Sequence, residues 1–463
     1  MSNQLPEDQW SLSSDAAYYR NWPVNLVIRS YFGDQDFNAS GEVAFKKQLY
    51  QSMLGQALNH KTTIESWRAS NVYGTTIWMF NELWPTGGWG SIEYGGNTTG
   101  QVSGGRWKPL QYLFRRSIYA DQFATCNQLG ACYVKNDAPV GMDLTVTVSL
   151  VNALTGKQAV VKSQDVSMDA GAGIVQWFCP GGNTTSSVTD AVLAAAAPSY
   201  IQHSDQIPLD RGSFTKVATG SAAVCESACN ADRACLGYTR AGPNTGGDCW
   251  LYEKVPSLMN SPGDSWYQKP GTKPIPAAPP PPPPPPGTVP LPCVAWTAVP
   301  QWSTLGCDSS AATMGANCLL TVVVTTKGNN SAVLSTNELP FQPPKQMRIP
   351  PKPVVTAQVG ALDPSTGRVP ITLQAKDTAL YVTLTTLVAG RFSDNAFLLL
   401  PTTTGGDHGA SVHVADNREA IQRFATAADG STILEFIPWG EFGEAEAKLL
   451  ESSLRVEHLA ENL

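Results

Sequence analysis

From residue 41 to 68, apolar side chains return about every fourth position, at Phe45, Leu49, Met53 and Ala57, and Leu54 and Leu58 widen the stripe. That period predicts an amphipathic helix, with Ser40 placed to cap its N-terminus. The run TTIWMFN (75–81) is continuously apolar and β-rich, the pattern of a strand buried on both faces. Beyond a glycine-rich loop, WKPLQYLFRRSIYADQF (107–123) returns to helical spacing through Trp107, Leu110, Phe114 and Ile118. Helix, buried strand, long loop and helix make one unit of an α/β architecture, although a lone strand still needs a sheet to join.

From about residue 131 the pattern shortens to strands. DLTVTVSLVN alternates, and AGIVQWF, CLLTVVVTT, RVPITLQAK and TALYVTLTTL follow with turn residues between them, a spacing that predicts β-sandwiches. Residues 207–268 stand apart: CESACNADRACLGYTRAGPNTGGDCWLY is too short and polar to hold together without cross-links. The eight consecutive prolines that follow predict a polyproline II rod of roughly 25 Å, read first as a spacer. At the C-terminus, strong helix formers over 443–451 predict a helix or turn leading into a short strand.

Composition narrows the class. At 463 residues the chain is too long for one core, and 40 glycines, 35 prolines and only 15% charged residues favour strands and loops over long surface helices. A net charge of −7 offers no basic stripe for nucleic acid, and no apolar run approaches the ~20 residues of a membrane span. Ten cysteines, none in C-x-x-C spacing, predict disulfides and an oxidising compartment, lysosomal, vacuolar or secreted. Sequons at Asn38, Asn97, Asn183 and Asn329 point the same way as glycosylation candidates. The opening MSNQLPEDQWSLSS has no apolar core for secretion, so the expectation is that the native N-terminus lies upstream of Met1. The five histidines are scattered, His408 and His413 read as solvated, and neither a metal nor a cofactor is expected.

The densest chemistry lies in GTTIWMFNELWPTGGWGSIEYG (74–95), where Trp78, Trp84 and Trp89 surround Asn81-Glu82. Tryptophan faces stack on the apolar C–H faces of a pyranose, so a sugar site is one reading; core packing of Trp78 and Trp89 is the other. Glu93 reads as a structural acid. The longer run IESWRASNVYGTTIWMFNELWPTGGWGSIEYG, followed by GGRWKPLQYLFRRSIYA, resembles the end of the (β/α)8 barrel in β-mannosidases of glycoside hydrolase family two. In that family the pattern is roughly G-x-x-x-W-x-x-N-D-x-W-x-x-x-x-W-x-x-x-E-Y, then G-x-W-K-x-L-H-Y. RFSDNAFLLLP (391–401) and EFIPWGEF (435–442) resemble the C-terminal Ig-like domain of the same enzymes, and EDQWSLSS resembles a barrel segment.

The resemblance implies a multidomain, mainly β protein: a barrel remnant (1–123), an Ig-like sandwich in two parts (124–206 and 293–345) and a C-terminal Ig-like sandwich (346–463). Trp78, Asn81, Glu82 and Trp84 would line the subsite of a terminal mannose at the rim of the barrel, with Glu82 where the family usually has Asp. The substrate class implied is β-mannoside-containing glycans. A retaining glycosidase needs two carboxylates about 5–5.5 Å apart. Neither family context for these glutamates occurs here, so no catalytic residue is assigned and the chain is expected to be inactive alone, as the C-terminal part of a larger enzyme.

The segment CESACNADRACLGYTR, with Cys249 downstream, resembles a PAN/apple-like module, implying a disulfide-bonded insertion over 207–270, ahead of the polyproline linker (271–292), that binds a glycan or a protein. Bridges are expected within Cys225, Cys229, Cys235 and Cys249, in one of three connectivities, and between Cys307 and Cys318. Two other readings compete with the hydrolase. One is a non-catalytic carbohydrate- or protein-binding protein, and the other is a structural protein spaced by the proline rod.

Overall fold

The computed structural model describes residues 25–183, 293–401 and 431–463, apart from 38, 73, 82–88, 94–105, 172–174, 311 and 329–331. Within 184–292 it describes five strands and the side chains of Cys225, Cys229, Cys235, Tyr238 and Leu251. The sequons at Asn38, Asn97 and Asn329, the proline run, His408, His413 and the EDQWSLSS segment lie outside the described residues.

Two helices open the described chain, α1 (25–32) and α2 (Glu42–Ala69). The residue at the start of α2 is Gly41, at φ 93°, and no side chain caps the helix, so Ser40 does not take the expected role. Next come β1 (Ile92–Glu93) and β2 (Arg106–Trp107), a two-residue antiparallel ladder, and α3 (Pro109–Leu113), which runs into a π-helical turn over Phe114–Ile118. The predicted helix over 107–123 therefore ends early. Its apolar spacing does serve a helical packing purpose, since Leu110, Leu113, Phe114 and Ile118 cluster with Ala57 and Ile64 of α2. Gln122 onward instead joins a strand ladder, because QFATC has a partner strand in CYVKN.

The first sandwich is built from β3 (Gln122–Cys126), β4 (Cys132–Asn136), β5 (Met142–Asn152), β6 (Gln158–Met168) and β7 (Val175–Phe178). The chain then enters a separate compact unit, Thr185–Pro283. That unit has an antiparallel sheet of β8 (Ile201–Pro208), β9 (Phe214–Thr219), β10 (Gly237–Arg240), β11 (Asp248–Tyr252) and β12 (Leu258–Gln268), in the order β8-β12-β10-β11-β9. Cys225, Cys229, Cys235, Tyr238 and Leu251 form its small core, Cys229 is bonded to Cys235, and Cys225 is also disulfide-bonded.

Returning to the larger unit, β13 (Cys318–Thr326) and β14 (Val333–Pro340) complete the first sandwich, giving sheets β14-β13-β5-β6 and β3-β4-β7. β13 pairs with β5 over nine residues from Cys318↔Asn152 to Thr326↔Leu144, so one sheet is shared by segments on either side of the insertion. The alternation in β5 is the reason: Leu144, Val146, Val148 and Leu150 are all fully buried on one face. Each such side chain contributes about 1.5–3 kcal/mol through burial. Cys179 and Cys293, 114 residues apart, are bonded at the two roots of the insertion, where Val294 N–H also donates to Gly182 O at 2.9 Å. Cys126 is bonded to Cys132 directly across the β3–β4 ladder, and Cys307 to Cys318.

The second sandwich follows: β15 (Val355–Val359), β16 (Val369–Ala375), β17 (Ala379–Thr385), β18 (Gly390–Phe392), β19 (Phe397–Leu399), β20 (Thr432–Pro438) and β21 (Arg455–Glu457). They form sheets β15-β16-β20-β18 and β19-β17-β21 around Val369, Ile371, Leu373, Phe397, Leu434 and Phe436. Near the C-terminus a helix over Glu444–Ser453 leads to β21. Between β18 and β19, Ser393, Asp394 and Asn395 are buried polar residues. Asn395 replaces a missing strand neighbour: its amide oxygen accepts from Leu384 N–H and its amide nitrogen donates to Leu384 O, each at 2.8 Å.

Candidate functional site

The helical layer presents residues 74–81 as an extended segment. Thr75, Ile77 and Met79 are half-buried, whereas Thr76, Trp78 and Phe80 point outward, with Trp78 77% and Phe80 63% exposed. Ile77 packs on the cluster formed by α2, α3 and the π turn. This corrects the expectation of a strand buried on both faces, and the core-packing reading of Trp78 with it. Among the described residues the segment has one bridge, Asn81 parallel to Ile92, and no continuous ladder to cover its outer face. A strand is buried on both sides only when elements lie on both sides.

Local hydrogen bonds hold the segment in place. Thr75 Oγ1 and the Tyr119 hydroxyl are 2.6 Å apart. Phe80 O accepts from the Ser91 N–H and Oγ–H, at 3.0 and 2.9 Å. Gln56 of α2 donates its amide N–H to Trp89 O, anchoring the far end of the tryptophan-rich loop. The Trp78–Met79 peptide bond is cis. Asn81 is exposed beside Phe80, while Glu82 and Trp84 lie outside the described residues. The structure thus places two of the four predicted sugar contacts, Trp78 and Asn81, near one another on an accessible surface. An exposed indole face beside a carboxamide can stack on a pyranose and hydrogen-bond its hydroxyls.

Around this segment the charged groups are engaged structurally. Glu93 sits across the β1–β2 ladder from Arg106, their charged atoms 3.4 Å apart. Arg115 and Arg391 lie over the Trp107 ring, at 5.4 and 4.8 Å from its centroid. Burial holds the Arg115 guanidinium below the usual arginine range, against the opposing pull of Asp394. Arg116, 3% exposed, is the residue that sequence reading missed. It reaches Asp394 at 3.2 Å, Glu338 at 3.4 Å and the Ala396 carbonyl at 3.0 Å, tying the π turn to both sandwiches. Burial alone would lower its pKa; the Asp394 and Glu338 carboxylates outweigh that and raise it. Nothing in the sequence singled it out, since on helical spacing Arg116 falls on the face opposite Trp107, Leu110, Phe114 and Ile118. Among the described residues no group of three or more His, Cys, Asp or Glu is placed to hold a metal ion.

Comparison with known proteins adds the family context. Residues 351–405 match the Ig-fold domain found in mannosidases. The goat β-mannosidase is 28% identical over 124 residues, covering 24% of this chain and 13% of its own length. The bovine β-mannosidase is 28% identical over 128 residues, covering 25% and 13%. Each aligned stretch therefore spans about an eighth of the relative it matches. The solved β-D-mannosidase of Dictyoglomus thermophilum overlays 98% of this chain on 34% of its own at 13% identity, with a TM-score of 0.49. The chain is a mainly β, multidomain protein carrying an Ig-like domain of the kind found in glycoside hydrolases. Within those hydrolases, its relationship is to the β-mannosidases.

Proposed function

We propose that this chain forms the C-terminal portion of a retaining β-mannosidase that removes terminal β-D-mannose from glycans, its own residues binding sugar and supporting the barrel. The observation that carries the reading is the mannosidase-type Ig domain at 351–405, in one chain with a tryptophan-rich loop. In this reading Trp78, Asn81, Glu82 and Trp84 line the mannose subsite at the barrel rim, Trp78 by stacking and the polar pair by hydrogen bonding. The nucleophile and acid/base glutamates are contributed by residues outside 1–463. The inserted unit serves as an apple-like accessory module, and the disulfides support a lysosomal, vacuolar or secreted setting.

Two preparations test this reading on p-nitrophenyl β-D-mannopyranoside. Chain 1–463 alone releases no nitrophenol, whereas the product of the full transcript releases it and loses most of that activity on Trp78→Ala. Hydrolysis by 1–463 alone, or a full transcript without two barrel glutamates, overturns the assignment.

A further inference from the structure

The stretch that carries Trp78 and Asn81 is fastened at one carbonyl, Phe80 O, where three donors converge. Ser91 N–H reaches it at 3.0 Å, Ile92 N–H at 3.3 Å and the Ser91 hydroxyl at 2.9 Å. Ser91 has no exposed surface, and its Oγ also lies 2.8 Å from Oε1 of Gln111 on α3. The chain between Phe80 and Ser91 therefore leaves and re-enters at a single neck, with the bridge of Asn81 to Ile92 beside it.

The neck is held from α2 as well. Gln56, 7% exposed, gives its amide N–H to the carbonyls of Trp89 and Gly90, while its own Oε1 stays buried with no donor. Leaving a buried acceptor unbonded is unfavourable, and a methionine would fill the same space without that penalty. What the glutamine adds is a fixed place for two carbonyls at the neck.

The protons set the direction of the contacts at Ser91. Its hydroxyl carries one proton, whereas Phe80 O and Gln111 Oε1 are both acceptors. With Oε1 facing Ser91, one of the two oxygen pairs, at 2.8 or 2.9 Å, has no proton between its atoms and repels. Turning the amide over brings Nε2 to the same place. Gln111 N–H then donates to Ser91 Oγ, and Ser91 O–H donates to Phe80 O, so every contact is a bond. Gln111 is half-buried, and among the described residues no other side-chain hydrogen bond fixes its amide.

We infer that Gln111 and Ser91 are positioning residues, a donor relay from α3 that locks the Phe80 carbonyl and through it the outward set of Trp78 and Asn81. A locked carbonyl fixes the peptide plane between Phe80 and Asn81, because the peptide unit is rigid. A buried relay with its bonds made selects one geometry for the groups it joins. That the face so held binds sugar rests on the function proposed above; the relay itself does not.

Gln111→Glu and Gln111→Lys separate donation from packing: both side chains are long, and only lysine brings an N–H. In chain 1–463 at pH 7, hydrogen-exchange mass spectrometry of peptides spanning 89–93 follows the Ser91 and Ile92 amides, both bonded to Phe80 O. Ser91→Ala and Gln111→Glu each speed this exchange about three- to tenfold, the range expected for one net hydrogen bond. Gln111→Lys, the variant that keeps the donor, restores the slow rate, and exchange over β13 is the same in every variant. Ser91→Ala with Gln111→Glu is no faster than Ser91→Ala alone, since the relay is already cut. In the product of the full transcript, acting on p-nitrophenyl β-D-mannopyranoside, Ser91→Ala and Gln111→Glu raise KM about three- to tenfold. Their kcat stays within twofold, the signature of lost binding without lost chemistry, and Gln111→Lys recovers the KM.

Unchanged exchange in Gln111→Glu, fast exchange in Gln111→Lys, or losses that add in the double variant overturn the relay. An active full-length product whose KM is unmoved by Gln111→Glu overturns its part in sugar binding. If the exchange results hold but the unsubstituted full-length product releases no nitrophenol, the relay stands and the proposed function falls.

Discussion

Arg116→Met is the substitution whose outcome says most about how this protein is held together. The guanidinium is 3% exposed, and its Asp394 partner is 2% exposed. It lies within 3.0–3.5 Å of Asp394, Glu338 and the Asn395 and Ala396 carbonyls. Methionine keeps much of the side-chain volume, so the cavity term is small and the electrostatic loss dominates. Removing one partner of a buried ion pair costs about 3–5 kcal/mol, because the remaining charge is left uncompensated. Asp394 keeps the hydrogen bond from Asn395 N–H at 2.8 Å and the attraction of Arg115, which places the expected loss toward the lower end of that range, about 3 kcal/mol. At roughly 2–4 °C per kcal/mol, the melting temperature falls by about 6–12 °C.

The assay is thermal and urea denaturation of chain 1–463 by intrinsic fluorescence, with Asp394→Asn and the double substitution as controls. Asp394→Asn alone leaves the cation partly unmatched, and the double variant recovers at least about 1 kcal/mol relative to the sum of the single losses, the coupling expected for groups in contact. A loss below ~1 kcal/mol for Arg116→Met, or strict additivity in the double variant, would refute the view that this ion network joins the π turn to the two sandwiches.

Two further predictions concern the staple and the response to acid. Replacing Cys179 and Cys293 by serine frees a loop of 114 residues and lowers stability by about 4–5 kcal/mol in the chain-entropy picture, read as a lower melting point and faster proteolysis of the first sandwich. Burial depresses the His458 pKa, with Glu461 opposing. The unfolded state therefore takes up the proton first, and stability present above the ordinary histidine value of 6.5 declines as pH falls below it. His60, depressed by burial as well, adds to the same trend. Melting temperatures between pH 8 and 5 show this decline, and His458→Gln makes it shallower; an unchanged slope would remove His458 from the account.

Much of the fold could be read from the chain, and the reasons lie in particular residues. The period of α2 and the alternation of Leu144, Val146, Val148 and Leu150 are local patterns. A period of two or 3.6 survives folding because each element buries one face regardless of its neighbours. RFSDNAFLLLP could be read only as a resemblance to an Ig-like domain; the structure makes its SDN triplet a buried polar corner, with Asp394 on Arg116 and Asn395 bridging to Leu384. Nothing in the sequence linked Arg116 to Asp394, which are 278 residues apart. The exposure of Trp78 was equally hidden, since an apolar run has the same composition whether its outer face is covered or open.

By itself, then, the sequence determined α2, the facing of strands such as β5, the segregation of the cysteine-rich insertion and the relationship to mannosidases, all of which depend on local period and motif. Only the tertiary structure decided which distant charges neutralise each other, that one sheet is shared across the insertion, and that Trp78 faces outward. Those outcomes depend on which surfaces meet, and pairing between surfaces far apart in the chain leaves no periodic trace along it.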